Sequence, residues 1–151
     1  MGKTTQRYTD PEALSGCTCA GLRKATRVVT QAYDAALQPL SLKATQFTVL
    51  AQLDAGGAAP LSQLADALVV DRTTLTRNLK PLVRNGWVRV DGEADQRVRQ
   101  VVLTSAGARI LKRAYPLWKE AQARVLKGLG KRRWAELLTD LDATVDVFSE
   151  A

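Results

Sequence analysis

Thr73, Thr76, Arg77, Lys80 and Arg84 fall on a single arc when residues 72–85 are wound as a helix at about 100° per residue. Leu75, Leu79, Leu82 and Val83 gather roughly 130° away, so one side of such a helix suits a core and the other suits a partner. The partner side has the chemistry of polyanion recognition. Arginine and lysine bond phosphate oxygens or the guanine edge, and threonine offers a hydroxyl to bases or phosphates and a methyl to thymine. An α-helix also has a diameter that fits the major groove of duplex DNA. Arg72 and Thr74 in the first turn complete the candidate set, although an ordinary amphipathic surface helix shows the same pattern when taken alone.

The residues that follow weigh against the plainer reading. Residues 87–90 and 97–104 are rich in valine and alternate it with arginine, and the charged stretch 91–96 separates them, which predicts a β-hairpin. Arg97 and Arg99 would sit on this arm close to the basic helix, where an arginine can enter a narrow minor groove. The acids of the tip look misplaced there. Asp95 is expected to orient Arg97 by a charge-assisted hydrogen bond. Charge is concentrated in the same region, since residues 71–113 hold ten bases against four acids and so six of the seven excess positive charges.

Other chemistries are poorly supplied. The 151-residue chain has no histidine, which removes the commonest general base, HExxH-type zinc sites and the Ser-His-Asp triad. No catalytic residue, cofactor or metal site is expected. Cys17 and Cys19, two residues apart, open a predicted helix whose N-terminus favours a thiolate, with Arg23 and Lys24 about a turn further on. They read as small structural thiols, a redox switch or a soft metal site, and two thiolates are too few for a closed zinc site unless a dimer contributes four. Two rival functions stay open. One is a helical interaction protein whose basic face binds an acidic protein, and the other is a thiol peroxidase using Cys17 or Cys19.

The elements that must position these groups follow from punctuation at Pro39, Gly56-Gly57 to Pro60, Gly86, Asp91-Gly92 and Gly128 to Gly130. Apolar spacing predicts a long amphipathic helix over 17–37, with Leu22, Ala25, Val29, Ala32, Tyr33 and Ala36 on one face. Ser41 is expected to cap a second helix bearing Phe47, Leu50, Ala51 and Leu53, and a short helix covers 61–68. Asp71 caps the basic helix, in which Pro81 invites a bend, and Thr104 caps a long helix that Pro116 is expected to kink. Trp134, Leu137, Leu138, Leu141, Val145 and Phe148 mark a final helix. The opening residues 1–12 are polar, with neither a secretory signal nor a membrane span, so a cytoplasmic address is expected.

The run 70–88 (VDRTTLTRNLKPLVRNGWV), then Asp95-Gln-Arg97 and Leu103-Thr-Ser-Ala-Gly107, resembles the multiple-antibiotic-resistance regulator (MarR) family, as does Ser41-Leu42 before the second helix. The resemblance implies a mainly α fold with a small β-hairpin wing, a winged helix-turn-helix with long flanking dimerisation helices. It divides one domain, 1–151, into a DNA-binding lobe at about 41–104 and dimerisation helices at about 14–40 and 105–151. It further implies a homodimeric regulator, most simply a repressor, on a pseudo-palindromic double-stranded operator. The three long amphipathic helices suit this independently, because they carry more apolar edge than one small winged helix can bury. A branch of the family senses organic hydroperoxides through a cysteine followed by Leu at three and Arg at eight residues. Cys19, Leu22 and Arg27 repeat that spacing, and Tyr33 falls at the tyrosine partner, whereas Gly21 or Ala20, Arg23 and Ala44 depart from its aromatic positions. Other relatives bind small aromatic acids between the dimer region and the DNA lobe, where Tyr33, Phe47 and Trp118 line a cavity or fill core.

Overall fold

The chain was analysed as a computed structural model that describes residues 15–92 and 99–149. Helix α1 (Thr18–Leu37) leaves Cys17 in extended conformation and ends in a short 3-10 turn, Gln38–Leu40, with Pro39 at its start. Helix α2 (Ala44–Gly56) follows. Ser41 does not cap it, contrary to expectation. It adopts φ 53 and closes the 3-10 turn by donating its amide to the Gln38 carbonyl at 2.8 Å. The amides at the start of α2 find other partners: Asp34 of α1 accepts from the Ala44 amide at 2.7 Å, and Gln46, within α2, accepts from the amide of the preceding Lys43 at 2.9 Å. Lys43 completes the junction with an ion pair to Asp34 at 3.2 Å. A carboxylate from another helix thus does the work assigned to a local serine.

Strand β1 (Ala59–Pro60) leads into α3 (Leu61–Ala67), and α4 (Arg72–Arg84) runs on to β2 (Val88–Asp91). Strand β3 (Gln100–Leu103) then feeds α5 (Ser105–Leu129) and α6 (Lys131–Ser149). The three strands form an antiparallel sheet in the order β1-β3-β2, in which Val88 faces Leu103 and Val90 faces Val101. The hairpin is therefore real but shorter than its valine content suggests, and Asp91 belongs to a strand rather than the tip. β1 is an addition to the sequence reading. It is two residues long and pairs Ala59 with Val101 and Pro60 with Gln100.

The core is continuous through the helix-turn-helix lobe. Leu50 and Leu53 of α2, Leu64 of α3, Leu75 and Leu82 of α4, Val88 of β2 and Val101 of β3 are almost wholly buried, and Ile110, Leu111 and Ala114 of α5 close it from the flank. Each leucine so buried is worth about 1.5–3 kcal/mol relative to exposure. Both α4 and α5 run unbroken through their prolines, Pro81 and Pro116. Among the described residues α6 buries nothing: its predicted stripe of Leu137, Leu138, Leu141 and Val145 is open to solvent, and Phe148 is 78% exposed.

The turn between α3 and α4 holds a β-branched residue in the left-handed region. Val69 has φ 51 and is 71% exposed, while its amide donates to Asp66 and the Val70 amide to Ala65, both at 3.0 Å. Such a conformation costs a branched residue about 1–3 kcal/mol, which glycine avoids at a smaller entropic cost. Val69→Gly is therefore expected to raise stability by about 1 kcal/mol, seen as a higher denaturant midpoint at constant m-value. An unchanged or lower midpoint would speak against strain at this turn.

Candidate nucleic-acid interface

Helix α4 is anchored at its start by Asp71. One carboxylate oxygen accepts the Thr74 amide at 2.8 Å and the other accepts the Thr74 hydroxyl at 2.6 Å. These bonds, the hydroxyl first, hold the Asp71 carboxyl below its ordinary range. A depressed carboxyl stabilises the fold above its unfolded pKa, and the contribution is lost as pH falls through the lower, folded value. Asp71→Ala should accordingly flatten the acid limb of the stability profile in pH-dependent urea unfolding; an unchanged limb would deny the cap this role. Thr74, a candidate for contact with a partner, spends its hydroxyl proton on this cap.

Leu75, Leu79 and Leu82 point α4 into the core as the helical arc requires. Val83 does not join them; it is 44% exposed, because it faces the gap between α4 and the hairpin rather than the interior. On the opposite side Arg72, Thr73, Thr76, Arg77, Lys80 and Arg84 are all exposed. Thr76 donates its hydroxyl to the Arg72 carbonyl at 2.7 Å, which leaves its methyl and oxygen lone pairs outward.

The hairpin reaches this face. Arg99 shares a groove of about 370 Å³ with Arg72, Thr73, Thr76, Arg77 and Lys80. A neighbouring, more apolar groove of about 320 Å³ runs between α4 and the strands, floored by Leu61, Leu79, Val83 and Val90. Four cations from two elements thus border one concavity. Arg97 and Asp95 lie outside the described residues. The ion pair that is seen on the wing is a different one, in which Arg89 donates through Nε to both carboxylate oxygens of Asp91 at 2.9 and 2.7 Å. It was readable in principle, since residues two apart on a strand share a face.

A second concavity lies between α2 and the first half of α5. Its volume is about 620 Å³, and Phe47, Leu111, Tyr115 and Trp118 line it with Asp54 and Lys112. Phe47 stacks on Trp118 with ring centroids 5.7 Å apart, and Tyr115 stacks on Trp118 at 5.6 Å. A smaller cavity of about 170 Å³ shares Phe47 and Trp118 and takes in Val29 and Tyr33. Phe47 is thus both core and wall. The Tyr33 hydroxyl donates to Gln122 of α5, and burial raises its phenol above the ordinary range. At the start of α1, Cys17 is half-buried and Cys19 exposed, both as free thiols.

Comparison with known proteins places this geometry. The MarR family model matches residues 42–98. The multiple antibiotic resistance protein MarR of Escherichia coli (strain K12) is 38% identical over 82 residues, which cover 54% of this chain and 57% of that protein, little more than half its length. The crystal structure of the M. tuberculosis transcriptional regulator MosR superimposes with a TM-score of 0.79 at 36% identity and covers 90% of this chain and 98% of that one. The same regulator in complex with DNA gives a TM-score of 0.75 at 39% identity, over 87% of this chain and 97% of that one. No helix among the described residues is long and apolar enough to cross a membrane. With a winged helix-turn-helix, a cationic α4 and a near full-length match to a regulator of this kind, the chain belongs to the MarR family of transcriptional regulators.

Proposed function

We propose that the chain is a homodimeric, sequence-specific repressor acting on double-stranded DNA in the cytoplasm. Thr73, Thr76, Arg77 and Lys80 read the major groove, Arg72 and Arg84 bond phosphates, and Arg99 with Arg97 serves the wing in the minor groove. The observation that carries this reading is the groove that Arg99 shares with Arg72, Arg77 and Lys80 of α4, which gathers four cations around one concavity. Residues 41–104 act as the reading lobe, and 14–40 with 105–151 as the dimerisation region, for which the unburied apolar face of α6 is the support. Two lobes related by a two-fold axis address half-sites about one helical turn apart.

Release by a small aromatic acid is supported by the cavity between α2 and α5, whose stacked rings offer a flat apolar slot and whose Lys112 offers a cation at the rim. Exposure of Cys19 favours a second reading of the signal, oxidation at the Cys17-Thr-Cys19 pair. Quantitative gel-shift binding to the protein's own promoter and to random duplex tests the core of the proposal. A clear preference for the promoter is expected, with log affinity falling against log salt by about 0.9 per phosphate neutralised. Equal binding to both duplexes would refute sequence-specific regulation. Peroxide treatment of Cys17→Ser and Cys19→Ser separates the two signals, since release that persists in both variants excludes the thiols.

A further inference from the structure

Helix α3 ends in a Schellman turn built around a side chain that the turn does not use. The Val70 amide donates to the Ala65 carbonyl and the Val69 amide to the Asp66 carbonyl, both at 3.0 Å, the bond pair that closes such a helix end. The apolar contact that accompanies the motif comes from Val70, which packs against the core. Its left-handed position belongs by default to glycine, and here it holds Val69 at φ 51. Ser41, the other non-glycine residue with positive φ among the described residues, has a local reason in the 3-10 turn it closes. The side chain of Val69 has none. Among the described residues of the lobe it is the most exposed large apolar side chain, at 71% against 44% for Val83 and 37% for Val90. Backbone strain that the fold does not need collects at binding surfaces.

The place of Val69 in the chain points to the partner. Two residues on, Asp71 caps α4 through the Thr74 amide at 2.8 Å, so the turn is fixed to the leading end of the basic helix. Arg72 and Thr73, which follow at once, already line the cationic groove. The second helix of a helix-turn-helix enters the major groove with its N-terminal residues at the base edges. The apolar feature displayed there is the C5-methyl group of thymine, which suits an exposed valine. We infer that Val69 is a specificity-determining residue, whose methyl groups pack on a thymine C5-methyl at the edge of the site gripped by Thr73, Thr76 and Arg77. This contact presupposes the DNA-binding reading of α4 and carries the reading face back across the turn. It adds a purely apolar reader to an arc of cations and threonines, and it gives the strained valine an occupation that the fold alone does not.

Uracil scanning of the promoter site tests this on the full chain. Each thymine is replaced singly by uracil, which pairs identically and lacks only the methyl group, and affinity is measured by gel shift at fixed salt for the wild type, Val69→Ala and Val69→Gly. At one thymine, with its symmetry mate, the wild type should lose about threefold to fivefold, the worth of one buried methyl. Both variants should bind the unmodified promoter about tenfold more weakly, bind random duplex to within about twofold of the wild type, and lose less than about twofold more at that thymine. Val69→Ala keeps a side chain on the turn and so guards against a loosened backbone in Val69→Gly. A valine with a merely structural role would leave the uracil response of the variants unchanged. A wild type indifferent to uracil at every position, variants as sensitive as the wild type, or variants that bind the promoter normally would each overturn the contact. Equal weakening on promoter and random duplex would set Val69 against the sugar-phosphate backbone and overturn base reading. A wild type with no preference for the promoter refutes the DNA-reading role of α4 itself, an outcome seen before any variant is made and so distinct from failure of this contact.

Discussion

Gly107→Ala is expected to cost about 3 kcal/mol or more and to lower the melting temperature by about 6–12 °C. A Cβ at Gly107 would lie 2.0 Å from the Trp87 carbonyl oxygen and 2.9 Å from the carbon behind it. The third neighbour, the Leu103 side chain at 2.7 Å, can rotate; the backbone of Trp87 has little room to do so. Its carbonyl accepts the Thr104 amide at 3.1 Å, and the Thr104 hydroxyl donates to the Gly86 carbonyl at 2.6 Å while accepting the Gly107 amide at 3.0 Å. These bonds clamp the start of α5 onto the segment joining α4 to β2. A methyl group there must push Trp87 away and the wing with it, so DNA binding should weaken beyond what loss of folded protein explains. Gly56→Ala, at a position with nothing within 4 Å, is the matched control and should keep the wild-type melting temperature to within a few degrees. A Gly107→Ala melting curve that overlays the wild type would show that the contact is not tight in solution.

Arg77→Ala is expected to weaken binding to the promoter site by about 1–3 kcal/mol, or roughly tenfold to a hundredfold. Arg77 sits on the exposed arc, one turn beyond Thr73 and on the same groove as Lys80 and Arg99. If it reads a base, the loss falls on the promoter and relaxes specificity at one position, while random duplex binds almost as before. If it bonds a phosphate, both duplexes lose alike and the log-log salt slope falls by about one. Titrations of both duplexes at several salt concentrations separate these outcomes. Binding unchanged on both would remove Arg77 from the interface and, with it, the assignment of the α4 arc.

Much of this geometry is legible in the sequence because it is local. Asp71 three residues before Thr74, and Thr104 three residues before Gly107, are cap spacings that hold whatever surrounds them, and both form as read. The valine-rich runs on either side of the charged stretch, of which Arg89 and Val90 pair with Val102 and Val101, likewise announce a hairpin. What was hidden depends on distant residues. No pattern around Ser41 reveals that Asp34, ten residues before Ala44, will cap α2. Ala59 and Pro60 have no strand signature, and they pair with β3 because α3 starts beside it, with the Leu61 amide on the Arg99 carbonyl at 2.9 Å. Val83 belongs to the apolar arc by angle, yet the packing of the wing leaves it open. The cavity between α2 and α5 is a property of two helices far apart in the chain, so the sequence offers its rings but not their shape.

Pro60 has a consequence for solubility. In the order β1-β3-β2 both β1 and β2 are edges, and an open edge is a template on which another chain can add a strand. On the β1 side the strand is two residues long, and one of them has no amide proton to offer a newcomer. On the β2 side the clasped charges of Arg89 and Asp91 would have to be stripped of water before a foreign strand could lie against them. The sheet therefore resists growth from either side.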